Sequence, residues 1–255
     1  MTPRAIGRID LHDTPHEVER GALENRQLVV VDVLRSCTTI ATALRNGAAK
    51  VIPVATVEEA MRLAQTMDAK QRLLCGERDG EKVNGFDLGN SPLEYDKARV
   101  EGKTLLFAST NASPVMAGLL SGFEQRLLAY VNVSAVADAV RNEGADLTIV
   151  CSGRNGRLSL EDTACAGALI RRVMEGAGKS GSGKGSAKPE LNDAAEMAAA
   201  YDKVHGGDPE KILRRSDHGR YLIELGFEDD LPLCAAVDSV PVVPLLRDGR
   251  ITNGG

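Results

Sequence analysis

Short apolar runs alternate with amphipathic helical patterns along most of this chain, and this alternation restricts the fold more than any other feature. The runs span residues 27–33, 51–54, 73–75, 104–108, 126–130 and 147–151. The first of them, QLVVVDV, is apolar at nearly every position, which is typical of a strand buried on both faces. Strands that alternate with helices predict βαβ units, and therefore a three-layer α/β/α fold with a mainly parallel or mixed sheet.

The 255 residues are predicted to form a single α/β domain, because 43% of them are hydrophobic and suffice for a sizeable core. A Gly-, Ser- and Lys-rich segment at 176–188 predicts a flexible surface insert. Segments 29–44 and 148–169 both run strand, polar turn and small-residue helix, a pattern compatible with an internal duplication and equally with shared βα geometry. Two runs interrupted by prolines, 233–237 and 240–246, predict short strands at a sheet edge.

Charge, hydropathy and cysteine usage exclude several classes of protein. The formal net charge is −5, whereas a general nucleic-acid binder normally carries a basic face. The longest apolar runs are far too short to span a bilayer, and the first residues contain no apolar signal-peptide core. The five cysteines are scattered and form no CxxC pair, as in reduced proteins. We therefore expect a cytoplasmic protein without nucleic-acid or membrane partners.

A long polar segment at 75–95, CGERDGEKVNGFDLGNSPLEY, follows the third predicted strand. A loop of this length inside a compact domain is uncommon and usually functional. It mixes carboxylates, which are ligands of hard cations, with the anion binders Arg78, Asn90 and Ser91. This mixture predicts a metal-assisted reaction on a phosphate or carboxylate.

Five carboxylates at or after predicted strand ends are candidate Mg²⁺ ligands: Asp32, Glu77, Asp87, Glu161 and Asp162. Asp32 ends an apolar strand, where a carboxylate is costly unless it has a partner. Glu161 and Asp162 have an alternative explanation, because acidic residues are favourable in the first turn of the helix predicted after Ser159. The four histidines show no metal-ligand spacing and are interpreted as ordinary surface or capping residues.

The candidate anion binders are Arg35, Arg78, Asn90, Ser91 and Asn111, together with the predicted helix N-terminus near Ser36. Arginine forks pair with phosphate or sulfonate oxygens, and helix N-termini add backbone donors. The alternative is that Arg35 and Arg78 only neutralise Asp32 and Glu77.

A different chemistry is possible at 151–157, CSGRNGR, which fits the Cys-x5-Arg phosphate loop of cysteine-dependent phosphatases. In such a site the Cys151 thiolate would attack phosphorus while Arg157 binds the phosphate oxygens. No His precedes Cys151, however, and Leu158 stands where Ser or Thr usually follows. A buried Cys that closes a strand explains the same residues.

Four segments together resemble the 2-phosphosulfolactate phosphatase (ComB) family. They are VVVDVLRSCTTIATALRNGA, CGERDGEKVNGFDLGNSPLEY, FASTNAS and VCSGRNGRLSLEDTACAG, and the similarity resumes around SDHGRYLIELGFEDDLPLCAAVD. The resemblance implies an α/β fold of its own and Mg²⁺-dependent hydrolysis of 2-phospho-3-sulfolactate to 3-sulfolactate and phosphate, a step toward coenzyme M. It is also compatible with a homodimer.

Matching the family's motifs by position implies a set of site residues. In the motif segments these are Asp32, Arg35, Thr38, Thr39, Glu77, Arg78, Gly85, Asp87, Asn90, Ser91, Asn111, Gly153, Glu161 and Asp162. The third motif departs from the expected Asn-Gly-Thr, because this chain has Asn111-Ala112-Ser113, a change that could reshape the pocket.

We therefore predict a Mg²⁺-dependent phosphatase acting on a small phosphorylated and sulfonated acid. The predicted catalytic residues are Asp32, Arg35, Glu77 and Arg78, and the predicted substrate-binding residues are Ser36, Thr38, Asn90, Ser91, Asn111 and Gly153. The predicted metal ligands are the five carboxylates named above. Two alternatives remain open at this point: a cysteine phosphatase that uses Cys151 and Arg157, and a non-catalytic binder of anionic metabolites.

Overall fold

A computed structural model describes residues 5–177 and 188–254 of the chain. Over these residues the chain forms a mixed, mostly parallel sheet of 11 strands with helices packed on it. The predicted three-layer α/β fold is therefore confirmed. The strands are β1 (Arg8–His12), β2 (Gln27–Val31), β3 (Lys50–Pro53), β4 (Arg72–Arg78), β5 (Glu81–Lys82), β6 (Thr104–Ala108), β7 (Gln125–Leu128), β8 (Leu147–Cys151), β9 (Glu190–Leu191), β10 (Pro244–Arg247) and β11 (Arg250–Asn253).

The helices lie between these strands and after them. They are α1 (Ser36–Arg45), α2 (Val57–Ala64), α3 (Lys97–Val100), α4 (Ala112–Pro114), α5 (Val133–Glu143), α6 (Leu160–Ala177), α7 (Asp193–His205), α8 (Pro209–Arg215), α9 (Asp217–Glu224) and α10 (Asp230–Ala235). A π-helical segment, Val115–Leu119, continues α4. None of the helices in the described part of the chain combines the length and the apolar character that a bilayer crossing requires.

The sheet consists of two parallel sets of strands joined by a hairpin. The order is β5-β4-β6-β3-β11-β10-β7-β2-β8-β1-β9. Strands β4, β6 and β3 pair in parallel, as do β7, β2, β8, β1 and β9. The β10–β11 hairpin pairs antiparallel with β7 on one side and with β3 on the other. The two parallel sets consequently run in opposite directions.

The strand predicted at 233–237 is wrong, and so is the edge position predicted for 240–246. The first segment lies largely in α10, where Leu231, Cys234 and Ala235 are buried at helical spacing. The second contributes β10, which lies in the middle of the sheet rather than at its edge. Pro244 is tolerated there because it is the first residue of its strand, where a missing N–H costs least.

Apolar side chains cover both faces of the sheet, as the continuous apolar pattern of β2 predicted. Val29 and Val31 belong to one core cluster, with residues of α5, α6 and α7. Leu28 and Val30 point into a second cluster, which also contains Ile40 of α1, together with residues of β6 and β11. Both parallel sets of strands therefore pack against α1.

The twist of the sheet, together with packing on α1, explains how oppositely directed strands contribute to one site. Adjacent strands in a sheet are rotated by roughly 20–25° relative to each other, and the rotation accumulates across the sheet. It turns the carboxyl ends of β4 and β6 toward those of β2 and β8.

The predicted insert at 176–188 falls mostly on 178–187, outside the described residues, and α6 extends through Ala177.

Candidate active site

A polar cavity of about 290 Å³ lies where these strand ends meet α1 and α9. It is lined by Asp32, Leu34, Arg35, Ser36, Glu77, Asp79, Gly80, Asn90, Thr110, Asn111, Arg154, Asn155, His218 and Tyr221. Six of these residues were predicted to belong to the site: Asp32, Arg35, Ser36, Glu77, Asn90 and Asn111. The sequence thus located the cavity but not its full lining.

Asp32 lies directly after β2 and is buried at the start of α1. Its Oδ1 accepts a hydrogen bond from the Ser36 backbone N–H at 2.9 Å, and its carbonyl accepts one from the Cys37 N–H at 3.0 Å. The Ser36 side chain makes no capping bond to the helix, so the Asp32 carboxylate performs the capping role expected of Ser36. Burial raises the pKa of Asp32 to about 6. Its Oδ2 has no hydrogen-bond donor among the described residues.

Glu161, in the first turn of α6, is fully buried and does not line the cavity, but it contacts His218, which does. Neither of its carboxylate oxygens accepts a hydrogen bond from the described residues. His218 Nδ1 lies 3.3 Å from Glu161 Oε1. Burial raises the pKa of Glu161, but His218 opposes that effect and the pKa is lowered overall. His218 thus partly offsets the cost of burying this carboxylate, and Oε2 is left without a donor among the described residues.

Asp162, the next residue, holds two loops together. Its Oδ1 accepts the Val33 N–H at 2.9 Å and its Oδ2 accepts the Gly153 N–H at 3.2 Å. Burial, followed by the charges of Asp32 and Glu161, raises the pKa of Asp162 well above its ordinary value. Both oxygens are thus engaged by backbone groups, which ties the turn after β2 to the turn after β8.

Glu77 and Asp87 are the remaining predicted metal ligands. Glu77 Oε1 accepts the Thr110 N–H at 2.7 Å, and its Oε2 accepts the Thr110 hydroxyl at 2.9 Å and the Gly80 N–H at 2.8 Å. Glu77 lines the cavity, but its oxygens are already satisfied by the protein. Asp87 lies outside the cavity lining, is exposed, and accepts the Leu74 N–H at 2.7 Å.

The segment that begins at Glu77 is more ordered than the predicted loop. Strand β4 continues to Arg78 and pairs with β5 through a two-residue turn at Asp79-Gly80. These residues have φ of +51° and +85°, which Asp-Gly in a tight hairpin turn adopts readily. Asp-Gly between strands is a known hairpin signal, so the sequence contained the information for this turn.

Neither of the two arginines predicted to bind the substrate's anionic groups is available for that role. Arg35 is paired with another residue, and Arg78 lies outside the cavity lining. Arg35 Nη1 donates to Asp230 at 2.7 Å, and Arg35 Nη2 donates to the Gly80 carbonyl at 2.6 Å. Its guanidinium also stacks on Phe227, 4.1 Å from the ring centroid. Arg35 is thus only 2% exposed and neutralises Asp230 rather than Asp32. Arg78 does not line the cavity and donates to the Glu77 carbonyl.

The predicted hydroxyl and amide ligands divide into two groups. Asn90 and Asn111 line the cavity, and Asn111 Oδ1 accepts the Asn155 N–H at 3.1 Å. Three hydroxyls are used inside the protein. Thr38 donates to the Val33 carbonyl at 2.8 Å, Thr39 to the Asn90 carbonyl at 2.8 Å and Ser91 to Asp230 at 2.5 Å.

The expected effect of Ala112 and Ser113 on the pocket is not seen. Both are fully buried and neither lines the cavity. The Ser113 hydroxyl accepts the Ser109 N–H at 2.9 Å. This pair therefore supports the turn after β6 from behind and leaves the cavity wall to Thr110 and Asn111.

Eight lining residues were not predicted as site residues: Leu34, Asp79, Gly80, Thr110, Arg154, Asn155, His218 and Tyr221. The Arg154 guanidinium stacks on the Tyr221 ring at 4.4 Å and forms no ion pair with any residue in 5–177 or 188–254. The turn that carries Arg154 is fixed at Gly153, whose φ is +67° and where a Cβ would lie 2.5 Å from the Arg157 carbonyl oxygen. His218 was interpreted as an ordinary residue, but the structure places it against Glu161 at the cavity.

Within the described ranges no group of three or more His, Cys, Asp or Glu side chains is arranged to hold a metal ion. Mg²⁺, however, usually takes only one or two carboxylates and completes its shell with water and substrate oxygens. Asp32, with a free Oδ2, and Glu161, whose Oε1 faces His218 and whose Oε2 has no donor among the described residues, provide such a pair. Each is a buried acid whose charge a cation would offset. The residues present therefore fit a bound Mg²⁺.

Cys151 does not meet the requirements of a nucleophile. It is fully buried at the end of β8 and lines no described cavity next to the site. Burial, and then the charge of Asp162, raises the pKa of its thiol well above the ordinary value. The Arg154 and Arg157 backbones bond to each other instead of leaving a ring of free N–H groups. The geometry disfavours the cysteine-phosphatase alternative.

Comparisons with known proteins give matches that include the motif segments of the candidate site. A family model described as 2-phosphosulpholactate phosphatase matches residues 12–249. A protein of Thermotoga petrophila named probable 2-phosphosulfolactate phosphatase is 40% identical over 228 residues, which cover 89% of this chain and 92% of the relative. Proteins of the same name from Carboxydothermus hydrogenoformans and Caldanaerobacter subterraneus are 39% and 36% identical over 96% and 95% of this chain, and the matches cover 96% and 97% of those relatives.

Proposed function

The chain belongs to the 2-phosphosulpholactate phosphatase family, and on that premise we propose that its polar cavity hydrolyses the phosphate monoester of a small anionic acid. The proposed substrate is 2-phospho-3-sulfolactate, and the products are 3-sulfolactate and phosphate. One observation supports the proposal above all others. Asp32 lines the cavity with an Oδ2 that accepts no hydrogen bond from the described residues, and the buried Glu161 lies next to it through His218, with an Oε2 that likewise has no donor.

We propose that Asp32 and Glu161 hold Mg²⁺, and that Glu77 and Asp162 position the surrounding loops. The last two carboxylates are fully engaged with backbone and hydroxyl donors, so they fix the site geometry instead of binding a cation. Asp87 is left out of this set because it lies outside the cavity. When bound, Mg²⁺ supplies positive charge that stabilises the charge developing on the transferring phosphoryl group.

Arg154 is the proposed partner of the substrate's anionic groups. Arg35 forms an ion pair with Asp230, whereas Arg154 lines the cavity and has no carboxylate partner among the described residues. Its Nη1 donates to the Asp217 carbonyl at 3.3 Å and its planar guanidinium stacks on Tyr221, and both contacts hold the side chain in place. Its other N–H groups can bind sulfonate, carboxylate or phosphate oxygens. The Tyr221 hydroxyl donates to the Asp79 carbonyl at 2.9 Å, which anchors α9 across the cavity mouth.

Asp32 also has the position expected of the group that starts the reaction. Its Oδ1 is fixed by the Ser36 N–H, so Oδ2 is held in a constant orientation toward the cavity residues. The carboxylate can attack phosphorus directly or take a proton from an attacking water. In both cases the P–O ester bond breaks, and the alcohol oxygen of the hydroxy acid leaves and gains a proton from water or from protonated Asp32. After direct attack, water hydrolyses the acyl phosphate on Asp32, which releases phosphate and restores the carboxylate.

Phosphate release from a panel of esters tests the proposal. Wild-type protein is incubated with 2-phospho-3-sulfolactate, 2-phospholactate and an uncharged-tail phosphate ester, with Mg²⁺ or with EDTA. We expect release that requires Mg²⁺ and is fastest with 2-phospho-3-sulfolactate. Release that persists in EDTA and is lost in Cys151→Ser would contradict the metal assignment. Binding without any release would favour a non-catalytic binder.

A further inference from the structure

A second cavity adjoins the candidate active site and has a different chemical character. It has a volume of about 490 Å³ and shares Thr110, Asn111 and Asn155 with the polar cavity. We call it the apolar groove, after its lining side chains Pro15, Val18, Pro114, Val115 and Leu119. His16, Ser152 and Gly156 complete its lining. The two cavities are therefore neighbours across a wall formed by the turn after β6 and the turn after β8.

The wall between the cavities is thin. It contains the hydrogen bond from the Asn155 N–H to Asn111 Oδ1, 3.1 Å long, between residues that line both sides. The far side of the groove is formed by the π-helical segment Val115–Leu119. Short π-helical segments occur frequently at functional sites, because the wider turn redirects side chains. Val115 and Leu119, at its two ends, both contribute apolar surface to the groove.

Ser152 is a polar lining residue of the groove with an unpartnered hydroxyl. Its backbone N–H donates to the Val31 carbonyl at 2.9 Å, which fixes the residue beside β2. Its side chain is only 3% exposed, and its Oγ has no hydrogen-bond partner among the described residues. A buried hydroxyl without a partner costs free energy, and a ligand that supplies one would recover it.

We propose that the apolar groove binds the carbon chain of longer, apolar hydroxy acids, so that this enzyme accepts their phosphate esters in addition to that of a three-carbon acid. This inference rests on the proposed function, because it places the phosphate in the polar cavity. The chain would pass the Asn111–Asn155 wall and cover Val115 and Leu119. A hydroxyl or carboxyl group on that chain would bond to Ser152 Oγ.

The size of the polar cavity supports this extension. At about 290 Å³ it lies at the lower end of the roughly 300–1,000 Å³ found for ligand sites. A three-carbon acid has no apolar surface to place in the groove, whereas a longer chain does. Burying one methylene group should strengthen binding about fourfold.

Binding of unbranched alkylphosphonates tests the groove separately from catalysis, because their P–C bond is not hydrolysed. Ethyl-, butyl- and hexylphosphonate are titrated into Mg²⁺-loaded wild type in a calorimeter. We expect affinity to rise about fourfold per added methylene until the groove is filled. Leu119→Asp places a charge in the groove and should abolish this rise while leaving ethylphosphonate binding unchanged.

Leu93→Asp is the matched control, since Leu93 is exposed and lines neither cavity. It should retain the full dependence on chain length, and thermal unfolding should show that both variants are folded. Affinity that is flat or falls with chain length in wild type overturns the groove proposal, as does an equal loss for all three ligands in Leu119→Asp. A normal rise in affinity without hydrolysis of any ester would overturn the proposed function instead.

Discussion

At the scale of single residues, the contacts of the carboxylates separate their roles more sharply than their spacing in the sequence. Asp32 and Glu161 each have a carboxylate oxygen that accepts no hydrogen bond from the described residues. Both oxygens of Glu77 and of Asp162 accept hydrogen bonds from backbone or hydroxyl donors. Asp87 is spatially separate from the cavity. Five similar acids therefore divide into two proposed cation binders, two loop supports and one exposed group.

Asp32→Asn should lower kcat by about 10³-fold or more, because the amide can neither attack phosphorus nor accept a proton. The fold should remain intact, since the Asn oxygen can still accept the Ser36 N–H. Phosphate release and circular dichroism measure the two outcomes. Asp87→Asn is the matched control and should keep wild-type activity. If Asp32→Asn stays active, Asp32 does not belong to the site.

Two buried serines should respond differently to removal of the hydroxyl. Ser152→Ala deletes an oxygen without a partner and should leave the free energy of unfolding unchanged or raise it by about 1 kcal/mol. Ser91→Ala removes the bond to Asp230 and should cost about 1–3 kcal/mol. Urea unfolding measures both changes. A large loss of stability in Ser152→Ala would mean that its hydroxyl has a partner in the folded protein.

At the scale of elements, the β10–β11 hairpin joins the two parallel sets of strands. Ile251 is fully buried in the cluster that also contains residues of α1 and β6, and it pairs with Val51 of β3. Its neighbour Thr252 is exposed. The hairpin therefore stabilises the sheet from its centre, although short strands are more often found at sheet margins.

Ile251→Ala should destabilise the protein by about 2–5 kcal/mol, the range typical of a buried Ile truncated in a core. Thr252→Ala, on the opposite face of the same strand, should change the free energy of unfolding by less than about 0.5 kcal/mol. Chemical denaturation of both variants makes the comparison. Equal, small effects would show that β11 contributes little to the core.

The same hairpin shows which elements could be predicted from sequence. The buried strand β2 has a continuous apolar pattern, and Thr56 caps α2 through the bond from the Glu59 N–H, as the local sequence indicates. The central position of β10 is set by its partners β7 and β11, which no local pattern specifies. The prolines in 240–246 predicted an edge strand, because strand propensity describes a segment by itself and not the strands that it pairs with.

The candidate site shows the same difference between residues that the local sequence places and residues that distant partners place. Asp32 and Asn111 end apolar strands, so their place at the site was predictable. Arg35 was assigned to substrate because its partner, Asp230, is distant in sequence and not visible to local reasoning. His218 was missed for the same reason, since α9 brings it to Glu161 from a later segment.

At the scale of the whole molecule, cation binding should be coupled to global stability. Mg²⁺ at 100 times its Kd should add about 2.7 kcal/mol to the free energy of unfolding, which corresponds to a rise in Tm of roughly 5–10 °C. Differential scanning calorimetry with and without Mg²⁺ measures the shift. Glu161→Gln should lose it and Asp87→Asn should keep it. A shift that survives Glu161→Gln would remove Glu161 from the cation site.

The cysteines provide a second measurement on the whole molecule. All five are buried, and burial raises the pKa of the Cys37, Cys151 and Cys165 thiols well above the ordinary value. Native protein should therefore react with almost no thiol reagent at neutral pH, and guanidinium-unfolded protein should react at all five positions. Fast labelling of Cys151 in the native state, with loss of activity, would revive the cysteine mechanism.

The β10–β11 hairpin also determines when the sheet can be completed during synthesis. Val51 of β3 and Arg126 of β7 emerge from the ribosome long before their partners Ile251 and Leu245. Until then the two parallel sets each expose an unpaired strand edge at the gap that the hairpin later fills, and such edges invite aggregation. The nascent chain therefore has a period in which a chaperone that shields strand edges would protect it.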